Sequence, residues 1–186
     1  AHIARVLRLE AGEPLVLFDG AGREAAARVA EVRGAAVTVD TEAAVVVDRE
    51  SPLRLTLVQG LPKLDKLELV VQKATELGVW AIMPVEMERS IARLDGKEDK
   101  KAERLRRIAL EAAKQSGRGV VPRVYPPLDF KDALSKASGY SLSVMPYEKE
   151  AAVRTKDIFK CGDMAVPSSV AVIVGPEGGF APEEVA

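Results

Sequence analysis

Near the end of the chain the stretch "VIVGPEGGF", residues 172–180, closes an apolar run with a proline, an acid and three glycines. Gly175, Gly178 and Gly179 tolerate positive φ and present backbone N–H groups with no β-carbon in the way. Open α/β sheets bind ligands beyond the carboxyl ends of their strands, where such a loop admits a ligand to the main chain. Neither G-x-x-x-x-G-K-[ST] nor G-x-G-x-x-G is present, and Glu177 inside the loop would repel a phosphate. It would instead favour a cationic ligand or accept hydrogen bonds from a ribose or an amine. A tight strand-to-helix turn with no ligand accounts for the same glycines.

A second constellation lies in "LEAAKQSGR", residues 110–118. At 100° per residue, Arg104, Arg107, Glu111, Gln115 and Arg118 share one flank of a helix, provided that the helix reaches Arg118. Between Lys97 and Arg118 eight basic residues face four acids, the strongest local positive patch in the chain. Guanidinium forks suit phosphate oxygens, and Gln or Arg can read a base edge. A solvated face laced with i,i+4 ion pairs is the commoner meaning of such a pattern. In "QKATELG", Gln72, Lys73 and Glu76 mark the wet side of another helix. Arg89 follows a strand end, where functional loops gather.

Other chemistries are excluded by count. One Cys (Cys161) and one His (His2) rule out an internal disulfide framework and a His/Cys metal cluster within one chain. Cys161, in "FKCGDM", carries no pattern that marks an activated thiolate, and His2 reads as an incidental surface group. No Ser/His/Asp or Cys/His mechanism is supported, and a reducing, cytosolic setting is expected. With 27 basic and 28 acidic side chains, no overall field draws the chain to nucleic acid or anionic lipid. No apolar stretch approaches the ~20 residues of a membrane span.

The elements that must position these groups change character near Ser51-Pro52. Before it, "PLVLFDG", "AAARVAEV" and "AAVTVDTE" read as short strands at turn-bounded intervals, a small barrel or sandwich. Its arginines, Arg5 and Arg8 among them, are outnumbered by nine acids. After it, strands alternate with helices: "LRLTLVQG"; a helix opened by Asp65 with Glu68 as a capping box and Leu64 stapling Leu69, ending at Gly78; "WAIMPV"; a long helix from about Asp99 to Ser116; then "YSLSVM" and "SVAVIV". Pro182-Glu183-Glu184 opens a last helix. This is an α/β domain with a mainly parallel sheet.

Four segments in order, "HIARVLRL" (2–9), "KLDKLELVVQKATELGVWAIMPVEMERS" (63–90), "RLRRIALEAAKQSGRGVVPRV" (104–124) and "VIVGPEGGFAPEE" (172–184), resemble the RsmE family. These are bacterial 16S ribosomal RNA (uracil-N3) methyltransferases of the SPOUT, or trefoil-knot, superfamily. The resemblance implies a PUA-like β-barrel over residues 1–50 that helps hold RNA, followed over residues 51–186 by an α/β knot domain that dimerises and binds S-adenosylmethionine. It makes Val174, Gly175, Pro176, Glu177, Gly178, Gly179 and Phe180 one wall of the cofactor pocket and sets Gln115–Arg118 near the active site. The family pattern continues beyond residue 186 through a segment that completes the knot and the pocket, and it opens on a strand preceding Ala1, so the chain is expected to be a piece of a longer protein.

The chemistry implied is displacement at a methyl carbon by uracil N3, which must shed a weakly acidic proton. Arg118 is then expected to stabilise the developing negative charge, with Glu111 or Gln115 orienting it or the base. Arg5, Arg8, Arg89, Arg104, Arg107 and Lys114 are the expected RNA contacts. The partners implied are 16S ribosomal RNA or the small subunit and a second copy in a homodimer, in the cytoplasm, with no metal, DNA or membrane. A related enzyme acting on another RNA or position, or a non-catalytic RNA-binding protein, would share these motifs.

Overall fold

A computed structural model describes residues 7–151, 153, 155–158 and 167–185. His2, Arg5 and Cys161 lie outside them. The chain divides into two compact units, Ala1–Glu50 and Ser51–Ala186.

In the first unit, β1 (Pro14–Phe18), β2 (Arg23–Arg33), β3 (Ala36–Thr41) and β4 (Val45–Val46) form an antiparallel sheet. β1 pairs along one side of β2, with β3 and β4 following each other along the other. The β1–β2 turn is built by Asp19-Gly20: Gly20 takes φ 73°, and Asp19 Oδ1 accepts the N–H groups of Ala21 and Arg23 at 2.8 and 3.1 Å. The Arg23 guanidinium at Oδ2 and these two amides hold the Asp19 carboxyl down at about 2. A bulge shifts the register of β2 against β3 between Val29 and Glu31. Ala27 and Val29 alternate inward with the two-residue period of a half-buried strand.

The second unit runs β5 (Arg54–Gly60), α1 (Leu64–Glu76), β6 (Ala81–Glu86), α2 (Glu98–Ser116), β7 (Arg123–Val124), β8 (Leu128–Asp129), α3 (Phe130–Ala137), β9 (Leu142–Val144), α4 (Thr155–Ile158), β10 (Ser169–Val174) and α5 (Pro182–Val185). Its sheet has the order β7-β6-β5-β10-β9, with β8 pairing beyond β7 on the end of β6, and every pairing is parallel. The expected α/β architecture is present.

Alternation along the strands assigns the two faces. Leu55, Leu57 and Ile82 pack with Leu67 and Val71 of α1 and Leu105 and Ala109 of α2. Val58, Met83, Val85, Ala171 and Ile173 pack on the other face with Ala133 and Ala137 of α3. With helices on both faces the strands carry apolar residues toward each, which is why "AIMPV" and "VAVIV" are almost uninterrupted apolar runs. Burying each Leu or Val this way contributes roughly 1.5–3 kcal/mol.

Helix ends depart from expectation. α1 starts at Leu64, and its N-cap Lys63 makes no side-chain capping bond, so the Asp65/Glu68 capping box does not form. Leu69 is exposed, which removes one half of the expected staple. Leu77 is exposed as well, because the helix stops at Glu76 and Leu77 is its C-cap. α2 behaves as its periodicity requires: Ala102, Leu105, Ala109, Ala112 and Ala113 are buried, and Gly117 ends it at φ 71°, a left-handed conformation that favours glycine.

Candidate functional site

β5 leads to β6 and β7 on one side, while β10 and β9 lie on the other, so the sheet's topological switch point falls between β5 and β10. Ligand crevices in open α/β sheets form beyond the carboxyl ends of strands at such a point. Both strands end there in glycine, Gly60 and the Gly175 that follows Val174. A β-carbon at Gly60 would stand 2.6 Å from Pro176 N, 2.7 Å from Pro176 Cδ and 2.8 Å from Met87 Sδ. One at Gly175 would stand 3.1 Å from the Gly179 carbonyl carbon. The loop therefore folds onto β5 at a distance only glycine allows at 60, and onto itself at a contact that is tight for a β-carbon at 175. Gly179 takes φ 67° and its N–H closes a turn on Pro176 O at 2.9 Å. The Gln59 amide, buried beneath, donates to Gly60 O at 2.9 Å and to Gly175 O at 3.4 Å.

Some of the glycine content thus serves tight packing, and some leaves main chain open. The N–H groups of Gly178 and Phe180 have no hydrogen-bond partner among the described residues. Gly178 lies against Arg89, whose β-carbon would be 3.1 Å from one on Gly178 and whose Nη1 donates to Gly178 O at 3.0 Å. Arg89, expected to touch RNA, is therefore held beside the glycine loop with its side chain exposed.

Glu177 supplies what α1 lacks. Its Oε1 accepts the Lys63 N–H at 3.3 Å and lies 3.2 Å from Lys66 Nζ. The backbone amides of Glu177 and Lys63, with Lys66, hold its carboxyl below the usual value. A negative group at a helix N-terminus is stabilising there, so the acid ties the loop to α1. Phe180, 3% exposed, meets the Tyr147 ring edge-on at 6.4 Å, and Glu148 lies close to Gly179. Glu184 bridges the next turn, its two oxygens accepting Glu88 N and Ala181 N at 2.8 Å each. A cavity of about 540 Å³ opens alongside, lined by Met87, Arg93, Phe130, Ala181 and Glu184 among others.

The other constellation sits elsewhere. Arg118 is 9% exposed and turned inward, its Nη1 donating to Thr75 O at 3.1 Å and Val79 O at 2.9 Å. Those carbonyls close α1 and precede β6, at the amino end of the strands. α2 carries the chain down the sheet over nineteen residues, about 28 Å. A single copy thus separates Arg118, Glu111 and Gln115 from the glycine loop at the carboxyl ends. Glu111 and Gln115 are exposed.

Half of the basic patch is ion-paired, Lys101 with Asp95 among the pairs. Arg104 pairs with Glu68 at 2.6 Å, Arg107 with Glu103 at 2.5 Å and Lys114 with Glu111 at 2.6 Å. The solvated, ion-paired face is what α2 presents at these positions. Arg8 is exposed, with φ 54°. Sequence reasoning passed over Gln59, Gly60, Met87, Tyr147 and Glu148. The first two carried a signal, since "LTLVQG" ends an apolar strand in glycine just as "AVIVG" does. No group of three potential metal ligands occurs among the described residues.

Residues 49–186 match the RNA methyltransferase domain family, and residues 1–41 match the RNA methyltransferase PUA domain. The chain is 35% identical over 192 residues to ribosomal RNA small subunit methyltransferase E of Bacillus subtilis, spanning 99% of this chain and 73% of that protein. It is 36% identical over 195 residues to the enzyme of the same name from Mycobacterium tuberculosis, covering 100% and 70%. Among solved structures, ribosomal RNA small subunit methyltransferase E of Neisseria gonorrhoeae bound to S-adenosyl methionine superposes with a TM-score of 0.82 at 33% identity, covering 99% of this chain and 73% of that one.

Proposed function

Since the chain belongs to the ribosomal RNA small subunit methyltransferase E family, we propose that it is part of an enzyme transferring a methyl group from S-adenosylmethionine to N3 of a uridine in 16S ribosomal RNA, in the cytoplasm. The observation that carries this reading is the bare main chain at the switch point: Gly60, Gly175, Gly178 and Gly179 converge, and the N–H groups of Gly178 and Phe180 have no hydrogen-bond partner among the described residues. The fit is chemical as well as steric. Backbone donors and acceptors suit an adenosine, and the loop's acid is tied to α1, so its charge steadies the loop.

Val174–Phe180 would hold the cofactor, with Gln59 fixing the carbonyls of Gly60 and Gly175 from below. S-adenosylmethionine supplies an electrophilic methyl carbon. Uracil N3, giving its proton to solvent or a base, would bond to that carbon as the carbon–sulfur bond breaks and S-adenosylhomocysteine leaves, and the protein must align the base for that displacement. Arg89, pinned to Gly178, sets a guanidinium at the loop's rim where an RNA phosphate or uracil oxygen would approach.

Glu111, Gln115 and Arg118 enter this scheme through a second copy. Within one chain they stand at the opposite end of the sheet, so a role beside the base requires the exposed Glu111 and Gln115 of one protomer to meet the glycine loop of its partner in a homodimer. The buried Arg118 acts as a positioning residue that anchors the turn after α2 to the end of α1. The trefoil knot belongs to the same proposal. Titration calorimetry with S-adenosylmethionine and mass mapping of the methylated base test the reading. Saturable binding that Gly178→Val abolishes, with methyl found on uridine N3, is the expected result. A methyl on another position or another RNA would replace the substrate, and no cofactor binding by the full-length protein would leave an RNA-binding protein.

A further inference from the structure

Four cations of α2, Lys101, Arg104, Arg107 and Lys114, are paired with acids, whereas two arginines at the strand starts are held differently. Arg54 and Arg123 make no ion pair with any carboxylate among the described residues. Both are exposed, and each lies over an aromatic ring: Arg54 Cζ is 5.0 Å from the centroid of Trp80, and Arg123 Cζ is 4.3 Å from that of Tyr125. Two such pairs are an ordinary number for a chain this long. Their placement is what singles them out.

Arg54, Trp80 and Arg123 lie at the amino ends of three neighbouring strands, and Tyr125, two residues on from Arg123, puts its ring under that guanidinium. Trp80 N–H donates to Leu55 O at 2.7 Å, and Arg123 N–H donates to Trp80 O at 3.1 Å, so the Trp80 backbone stands between the strands that carry the two arginines. Two strand spacings, about 10 Å, separate those strands. The edge continues into hydroxyls: Arg54 N–H donates to Ser168 O at 3.0 Å, and Ser141 Oγ lies 3.2 and 3.1 Å from the hydroxyls of Ser168 and Ser169.

A guanidinium laid on a ring has already lost much of its side-chain freedom, while its N–H edge stays open to a phosphate fork. Trp80, 38% exposed, keeps ring surface on which a base can stack. Cations alternating with an exposed aromatic ring, with serine hydroxyls beside them, are the elements of a single-strand binding platform. We propose that the amino-terminal edge of the parallel sheet, carried by Arg54, Trp80, Arg123 and Tyr125, is an RNA-binding surface that holds an unpaired segment of the substrate through two phosphates and one stacked base. The proposal rests on the ribosomal RNA reading above and adds a surface at the end of the sheet opposite the cofactor loop.

Fluorescence anisotropy with a short labelled single-stranded RNA and with free 16S ribosomal RNA, over a salt series, tests it. Arg54→Gln/Arg123→Gln is expected to weaken binding about tenfold at low salt and to flatten the dependence of log affinity on log salt by about 1.4, two single-strand phosphates. Trp80→Ala should cost about tenfold more, with Trp80→Phe restoring most of it, so a fold defect is told from a lost stack. Arg104→Gln/Arg107→Gln should change little. S-adenosylmethionine affinity in Arg54→Gln/Arg123→Gln should match the parent. Parent-like RNA binding by Arg54→Gln/Arg123→Gln, or an equal loss in the α2 pair, overturns this inference alone. A parent chain that binds neither RNA overturns the methyltransferase reading with it.

Discussion

The two ends of one parallel sheet do opposite things with the same kind of backbone. At the carboxyl ends of β5, β6 and β10, side chains are pared away: at Gly60 the loop comes within a distance a β-carbon forbids, Gly175 and Gly178 leave little room for one, and Gly179 takes a left-handed φ. At the amino ends of β5, β6 and β7, side chains are large and exposed, with arginines over aromatic rings. Parallel strands make this division possible because every strand points the same way. A ligand that must reach main chain is served at one end, and a polyanion that must meet long side chains at the other.

The contrast breaks most readily at Gly60. Gly60→Ala puts a methyl 2.6 Å from Pro176 N, so the loop or β5 must shift. A loss of about 3 kcal/mol is expected, read as urea unfolding through the fluorescence of Trp80, the chain's one tryptophan, together with loss of S-adenosylmethionine binding by calorimetry. Next comes Arg118→Met, which leaves the carbonyls of Thr75 and Val79 short of their donor. It should cost about 2 kcal/mol in the same unfolding assay. Gly179→Ala forces a side chain into φ 67° and should cost about 1 kcal/mol, with weaker cofactor binding but unchanged affinity for single-stranded RNA.

Glu177 sharpens the comparison through pH. Its carboxyl is held below its ordinary 4.5 by its amide partners and Lys66, so its contribution is complete above about that pH. The contribution is lost as pH falls through the lowered value. Cofactor affinity should therefore drop on the acid side of 4.5 in the parent, and Glu177→Gln should start lower and lack that limb. Smallest of all, Arg104→Gln should alter stability by no more than ~0.5 kcal/mol, because its pair with Glu68 is exposed.

The carboxyl end was the more legible from sequence. A glycine-rich turn after "VAVIV" and a Pro-Glu-Glu start leave few conformations, and the strand, loop and α5 lie where those residues require. The function of Glu177 was not legible, since its partners Lys63 and Lys66 are more than a hundred positions away and only the fold brings them near. α1 shows the same limit from the other side: Asp65 and Glu68 have capping-box spacing, yet a distant carboxylate reached Lys63 instead. Helical periodicity located α2 and its buried face to within a residue. It ended the helix at Ser116, and Arg118 joined the flank of Arg104 and Arg107 only on the assumption that the helix ran on; Gly117 instead closes α2 in a left-handed turn and Arg118 is turned inward. Arg54, Trp80 and Arg123 are scattered over seventy residues, and only strand register gathers them.

Position 60 is walled in by main chain: a β-carbon there would meet the backbone nitrogen of residue 176 at 2.6 Å and the Met87 sulfur at 2.8 Å. Exchanging Pro176 leaves that nitrogen in place, so no substitution at 176 alone should rescue Gly60→Ala, although 115 intervening residues separate the two positions.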